Sequence, residues 1–355
     1  MSSTFGGLNT AASGLYAAQR ALDLTGQNVA NVNTDGYSRQ RVDLQSIGAS
    51  AVPAIWSTGD GIGSGVDSDH VTRIRDAFLE GRAQVEHGKS SQLTAEDDAY
   101  TQIQQAFNEP TSGSGLSNQL TNVWSAWQAL ANSPAGAGSD AAGTALLTTT
   151  QTLVDGLNTA RATLGTQWSS TQSNLASTVA DANSVAANIA KLNQAIQRAT
   201  QSGQSANELQ DQRDTLVMKL ADSMGAVSQP AADGMVDVTL GGISLVSGTV
   251  SSQLALAGAT DLGSPTAGAP GTYTVADPPR IVTAVSNATV QVGGTAGGYL
   301  NALTNLVPTY AGQLDAFAGQ LAGQINSALQ APGAYDGTGA TGSACLLYTS
   351  PSPRD

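Results

Sequence analysis

The sequence predicts a mainly α protein with β: a terminal coiled-coil segment, an elongated helical bundle with a β-hairpin region, and an inserted β-rich domain. Three observations carry that expectation. Leu8, Leu15, Leu22 and Val29 recur every seven residues near the N-terminus, apolar residues step by three and four from Leu147 to Ile196, and between Ala226 and Gly293 the period drops to two. A seven-residue repeat calls for a partner helix, three-and-four spacing marks a helix with one buried stripe, and alternation marks a strand with one buried face.

The first segment, 1–40, sets the pattern for the rest. Ala11, Ala18 and Thr25 stand three positions after the first three leucines, so the seam is narrow and its small residues let a second helix approach closely. A lone helix of this kind is marginal. It ends at Asn31-Val32-Asn33-Thr34-Asp35-Gly36, where asparagines tolerate left-handed dihedrals and Asp-Gly makes a turn, and Tyr37-Ser38-Arg39-Gln40 leads into extended chain.

The run from Ala30 to Gln40, with Asn31, Asn33, Thr34, Gly36, Tyr37, Ser38, Arg39 and Gln40 as its marked positions, resembles the N-terminal signature of bacterial flagellar axial proteins. Its Tyr-Ser-Arg-Gln ending is similar to that of the hook-filament junction family. The resemblance implies a structural component of the flagellum that connects hook to filament, self-associates in a ring and performs no catalysis. It further implies a hook protein, a second junction protein and an export chaperone as partners. The extracellular location would be reached through the flagellar type III apparatus, which reads uncleaved N-terminal segments. In that setting Leu8, Leu15, Leu22 and Val29 form the assembly interface. A secreted coiled-coil adhesin with a ligand-binding β-domain is the alternative; a wall hydrolase is weaker, because no clustered acid or nucleophile is found.

Composition narrows the function classes. The 355 residues carry a formal charge of -13 and only 5% aromatic side chains. Such a balance disfavours nucleic acid, whose phosphates demand a basic surface, and disfavours insertion into anionic membranes. No uninterrupted apolar run approaches the roughly 18 to 20 residues of a membrane helix, and no basic region precedes an apolar core as in a secretory signal. The one cysteine, Cys345, forms no intrachain disulfide, and His70 and His87 are too far apart in sequence for a helical metal-ligand pair. No cofactor or metal is expected.

The bundle is expected over 41–225 together with 294–332. Within it, 41–72 reads as a β-hairpin, its strands separated by the glycine cluster at 59–65. That cluster does not open a helix inside a βαβ unit, so a turn is favoured over dinucleotide binding. A helix from Arg73 to Phe107 should end before Pro110. The next, Leu116 to Ala131, carries Trp124 and Trp127 on what reads as a core face. The seam from Leu147 to Ile196 belongs to a helix of roughly 90 Å at about 1.5 Å per residue, with Arg161 as its one charged member.

After the turn at Ser202-Gly203, helix resumes with Asn207, Leu209, Asp211, Arg213 and Asp214, similar to an Asn-x-Leu-x-Asp-x-Arg-Asp motif of the same junction family. Asp211 and Asp214 share a helical face, and salt bridging is favoured over catalysis because no nucleophile accompanies them. Segment 226–293 is expected to be one projecting β-rich domain, with Asp237 on its solvent face, followed by a returning helix to about Gln330. Residues 333–343 read as the start of a loop cut short, and 344–355 as a non-native tail.

Overall fold

The computed structural model describes residues 4–48, 63–107, 115–133, 137–263, 275 and 277–330. Most of the glycine cluster at 59–65, Pro110, the loop begun at Gly333 and the tail with Cys345 lie outside the described residues. What is described is mainly helical, with three small antiparallel sheets. The chain divides into two compact units, Met1–Lys89 with Asp181–Gln253 and Ser90–Ala180 with Leu254–Asp355; α2 (Ala77–Phe107) and α4 (Ala137–Gln201) contribute to both.

In the first unit, α1 (Thr4–Ala30) is followed by a ribbon of β1 (Gln40–Ile47) and β2 (Gly65–Arg73), paired antiparallel from Gln40 opposite Arg73 to Ile47 opposite Gly65. Residues turn about 100° each along a helix, so Ser13, Ala17, Leu24 and Asn28 form a stripe opposite the leucine seam. This stripe meets the ribbon. Ala17 is buried, Ser13 Oγ accepts the Val66 N–H at 3.2 Å, and Arg20 pairs with Asp69 at 2.8 Å.

The helix expected from Arg73 begins instead at Ala77. Asp76 is its cap: its Oδ1 accepts the N–H groups of Phe78 and Leu79 at 2.9 and 3.2 Å, satisfying donors that the first helical turn leaves open. Arg73 and Ile74 are thereby left to the ribbon, with Ile74 N donating to Arg39 O at 2.8 Å.

The remaining core of this unit lies between the C-terminal part of α4, α5 (Asn207–Met224) and a four-stranded sheet in the order β3 (Val227–Pro230), β4 (Val236–Leu240), β5 (Ile243–Ser247) and β6 (Val250–Ser251). Ile189, Ile196, Leu220, Met224, Val238, Leu245 and Val246 are buried. Asn193 of α4, itself fully buried, donates to Val236 O and Gly248 O at 2.7 Å each and accepts the Val236 N–H at 3.2 Å.

The expectation of one projecting β-domain over 226–293 is redrawn accordingly. Its first four strands belong to the first unit and are fastened to α4, whereas β7 (Leu254–Ala257) and β8 (Arg280–Thr283) pair with each other in the second unit. Alternation reports that a strand has one buried face but not which element covers it. Asp237 is on the half-exposed face of β4, opposite the buried Val236, Val238 and Leu240, and its Oδ1 also accepts the Gly248 N–H at 2.7 Å, holding a turn. At the end of the segment, Thr289 makes an isolated antiparallel bridge to Val282.

In the second unit α3 (Leu116–Ala131), the N-terminal part of α4 and the returning helix surround a core of Leu153, Leu164, Trp168, Leu175, Leu303 and Val307. The returning helix is broken into α6 (Gly294–Asn301), a π turn at Ala302–Leu306 and α7 (Val307–Leu329). Chemistry accounts for a consequence of the break. Val307 N donates to Ala302 O, five residues back; the next donor in that register would be residue 308, which is proline and has none. Leu303 O therefore lacks a helical partner, and the fully buried Trp168 supplies one, its Nε1–H donating at 2.9 Å. Gly298 lets α6 approach α2, since a Cβ there would stand 2.7 Å from both Ala95 Cβ and Gln92 O.

Two expectations for side chains are settled here. Trp124, read as core, is 67% exposed, while Val123 is buried and Trp127 half-buried; the buried stripe of α3 runs one residue earlier than the tryptophan. Arg161 pairs with Asp315 of α7 at 3.7 Å and donates to Gly263 O at 3.2 Å.

Burial raises the Asp315 carboxyl above its ordinary pKa, more than the Arg161 charge lowers it. A carboxylate with a raised folded-state pKa contributes most below its unfolded pKa and loses that contribution as pH rises through the folded value. Asp315→Asn should therefore be at least as stable as the parent at neutral pH, with its relative advantage shrinking as pH falls toward about 4. Thermal melts of the two proteins across that range test the sign; a difference that grows on acidification would contradict it.

Candidate functional site

The two sequence motifs, more than 160 residues apart, meet in the first unit. The turn after α1 is assembled first. Asn31 O accepts the Thr34 N–H at 3.0 Å, Asn31 Oδ1 accepts the Thr34 hydroxyl at 3.1 Å, and Gly36 adopts φ 78°. A Cβ on Gly36 would lie 2.2 Å from Thr215 Oγ1 of α5, so both the left-handed dihedral and the close approach require glycine. Asn28 then ties the turn to the ribbon: its Oδ1 accepts the Tyr37 hydroxyl and the Gln40 N–H, each at 2.9 Å, and its Nδ2 donates to Gln40 O at 2.9 Å.

Ser38 reaches α5. Its backbone N–H donates to Asp211 Oδ2 at 3.1 Å, while the other Asp211 oxygen accepts Arg73 Nη1 at 2.8 Å. Arg73 Nη1 also donates to Asp214 Oδ2 at 2.7 Å, and Arg75 Nη1 to that same oxygen and to Ser38 Oγ at 3.1 Å each. Glu80 closes on Arg75 Nε. Arg213 completes the set from the far side, with Nε and Nη2 on Asp214 Oδ1 at 3.0 and 2.8 Å and Nη1 on Gly234 O at 2.7 Å. Asn207 Nδ2 bonds Gln40 Oε1 at 3.2 Å and Val71 O at 3.0 Å.

Three guanidinium groups and the carboxylates of Asp211, Asp214 and Glu80 thus share one partly buried node. Burial works to lower the Arg73 pKa, and the hydrogen bonds and charges of Asp211 and Asp214 outweigh it and hold the group above its ordinary value. Burial, then the negative charges of Asp211 and Glu208, push the Tyr37 hydroxyl up, keeping it a donor to Asn28. Paired charges bonded on several sides fix geometry, which is what this site does chemically. Among the described residues no group of three His, Cys, Asp or Glu is arranged to hold a metal ion, and no helix is long and apolar enough to cross a membrane.

Of the expected positions, Asn31, Thr34, Gly36, Tyr37, Ser38, Gln40, Asn207, Asp211, Arg213 and Asp214 take part in this turn or node. Asn33 and Arg39 are exposed, and Leu209 is half-buried beside the node residues of α5. Sequence reasoning missed Arg73 and Arg75, assigned to the first turn of a helix; the signal available was their alternation on extended chain, ahead of Asp76. The seam residues stand apart from the node. Leu8, Leu15, Leu22 and Val29 are 68%, 61%, 72% and 68% exposed, on the side of α1 that the ribbon leaves open.

Comparison with known proteins follows the same lines. The family model described as the flagellar hook-associated protein FlgK helical domain matches residues 100–345, and that of the flagella basal body rod protein matches residues 8–37. A Bacillus subtilis relative, flagellar hook-associated protein 1, is 35% identical over 225 residues, covering 62% of this chain and 43% of the relative. Its Escherichia coli namesake is 32% identical over 251 residues, covering 70% and 44%. Among solved structures, the flagellar hook junction protein FlgK from Burkholderia pseudomallei aligns with a TM-score of 0.55 at 27% identity, covering 71% of this chain and 43% of that one. The chain thus spans less than half the length of each of these relatives.

Proposed function

Because this chain belongs to the flagellar hook-associated protein FlgK family, we propose that it serves as a non-catalytic structural element joining hook to filament, with α1 as its means of assembly. The observation that carries the reading is the seam of Leu8, Leu15, Leu22 and Val29, an apolar heptad stripe open to solvent on a helix whose opposite stripe is occupied. Burying one such leucine or valine is worth about 1.5 to 3 kcal/mol, so four in register favour a lengthwise helical partner. The node supports the same reading, since it fixes the direction in which α1 leaves the rest of the unit.

Under this proposal the protein is exported through the flagellar type III apparatus with a chaperone and acts outside the cell. It forms a ring with its own copies, between the hook protein and the second junction protein, and binds neither nucleic acid nor membrane. Leu15→Asp combined with Leu22→Asp, made in the full-length gene, should abolish filament attachment, while circular dichroism and export remain as in the parent. Electron microscopy of the cells decides: normal filaments on the double variant would sink the proposal, because two carboxylates cannot be buried unpaired in a helical seam.

A further inference from the structure

The turn after α1 separates two grooves of opposite charge, both within the first unit. One, of about 540 Å3, runs between the turn and α5 with Leu192 and Leu216 in its lining; it carries the carboxylates of Asp35 and Glu208, besides Asp211 already paired with Arg73, and no lysine or arginine. The other, of about 550 Å3, lies between α1 and β1, lined by Val29, Val32 and Leu44 among others; it carries Arg39 and Arg41 and no carboxylate. With 14 Lys and Arg against 27 Asp and Glu in the chain, a lining whose only charges are basic runs against the composition. Asp35, Glu208, Arg39 and Arg41 are exposed, as are Val32 and Leu44 at 73% and 58%. Arg41 Nε touches Asp43 at 2.9 Å, yet its side chain stays two-thirds open. The basic groove also includes Val29, the last residue of the seam.

We infer that these grooves are the two halves of one contact between copies of this chain, the Arg39 and Arg41 face of one copy meeting the Asp35 and Glu208 groove of the next. Complementary patches at different places on one molecule can link copies head to tail, and such links close into a ring when the rotation allows. Guanidinium groups suit carboxylates at such a contact, and Val32 and Leu44 against Leu192 and Leu216 add apolar burial. Acidic groove against acidic groove repels, which sets the direction of joining. The inference rests on the junction reading above and names the surfaces through which the ring would form.

The test uses the full-length gene with three variants: Arg39→Glu with Arg41→Glu, Asp35→Arg with Glu208→Arg, and all four together. Each reversed pair should lower the count of filament-bearing cells at least about tenfold, and the four together should recover to within about threefold of the parent, since a factor of ten is only about 1.4 kcal/mol. Independently, copies carrying Arg41→Cys and copies carrying Gln212→Cys, the latter in the lining of the acidic groove, both otherwise freed of cysteine, should cross-link to one another in isolated junctions. Should a reversed pair fail to fold by circular dichroism, this cross-link decides. Normal filaments on both reversed pairs, a folded fourfold variant no better than the pairs, or no cross-link in intact junctions overturns the contact. Normal filaments on the reversed pairs leave the junction reading standing, which falls only with the Leu15 and Leu22 test.

Discussion

Asp211→Ala is expected to cost about 3 kcal/mol of stability, the lower end of what breaking a buried pair takes, because Arg73 keeps one bond to Asp214. The loss has two sources. Arg73, whose side chain is 13% exposed, gives up one of its two carboxylate partners, and the Ser38 N–H is left without its acceptor. Asp211→Asn should cost less, since an amide oxygen still accepts from Ser38. Denaturant unfolding gives the magnitude, and hydrogen exchange gives the place: residues 37–47 and 65–75 should exchange faster before the rest of the unit does. A loss under about 1 kcal/mol with protection unchanged would mean that the node is a solvated cluster of the kind that contributes little.

Trp168→Ala is expected to cost more, about 5 kcal/mol, as the sum of a large buried cavity and an unsatisfied carbonyl. Trp168 is fully buried and the indole is the donor to Leu303 O in the π turn. Trp168→Phe separates the terms. The ring fills most of the space but cannot donate, so a loss of about 1 to 3 kcal/mol comes chiefly from the unsatisfied carbonyl. Equal costs for Phe and Ala would assign the effect to the hydrogen bond; a neutral Phe would show that Leu303 O finds another donor.

How much of this was readable from sequence depends on which force wrote the pattern. Along α4 the spacing of three and four gave Leu157, Leu164, Trp168, Leu175, Ala182, Val185, Ile189 and Ile196 correctly as buried or nearly so. Near its start the stripe was read one residue late, with Leu147 chosen although Leu146 and Leu153 are the buried ones, because adjacent leucines and valines leave the phase open. Asn193 leaves no mark in the apolar spacing: a buried amide is indistinguishable from a surface one until its partners, here backbone groups of a sheet more than forty residues on, are known.

The site shows the same division. The turn from Asn31 to Gly36 was legible because its bonds are local and the left-handed glycine is a backbone requirement. The node was not. Its two halves were recognisable as motifs, yet that Ser38 meets Asp211, and that Arg73 and Arg75 bridge them, is decided by pairing across the ribbon and by the place where Asp76 starts α2. Charge-charge partners far apart in sequence leave no periodicity behind.

The node is also a device of phase. Asn207, Asp211 and Asp214 fall at steps of four and three, one stripe of α5, whereas Arg73 and Arg75 sit two apart on extended chain, one side of a strand. Inserting a single residue between Asn207 and Asp211 would swing the aspartates about 100° away from the arginines, and a single deletion between Arg73 and Arg75 would send one of them to the opposite side. Length changes here are therefore quantised: about seven residues, two full turns, in the helix, and an even number in the strand. For anyone searching distant sequences or transplanting the terminal segment onto another body, the spacings of these five positions, together with Arg213 between the two aspartates, are the transferable part.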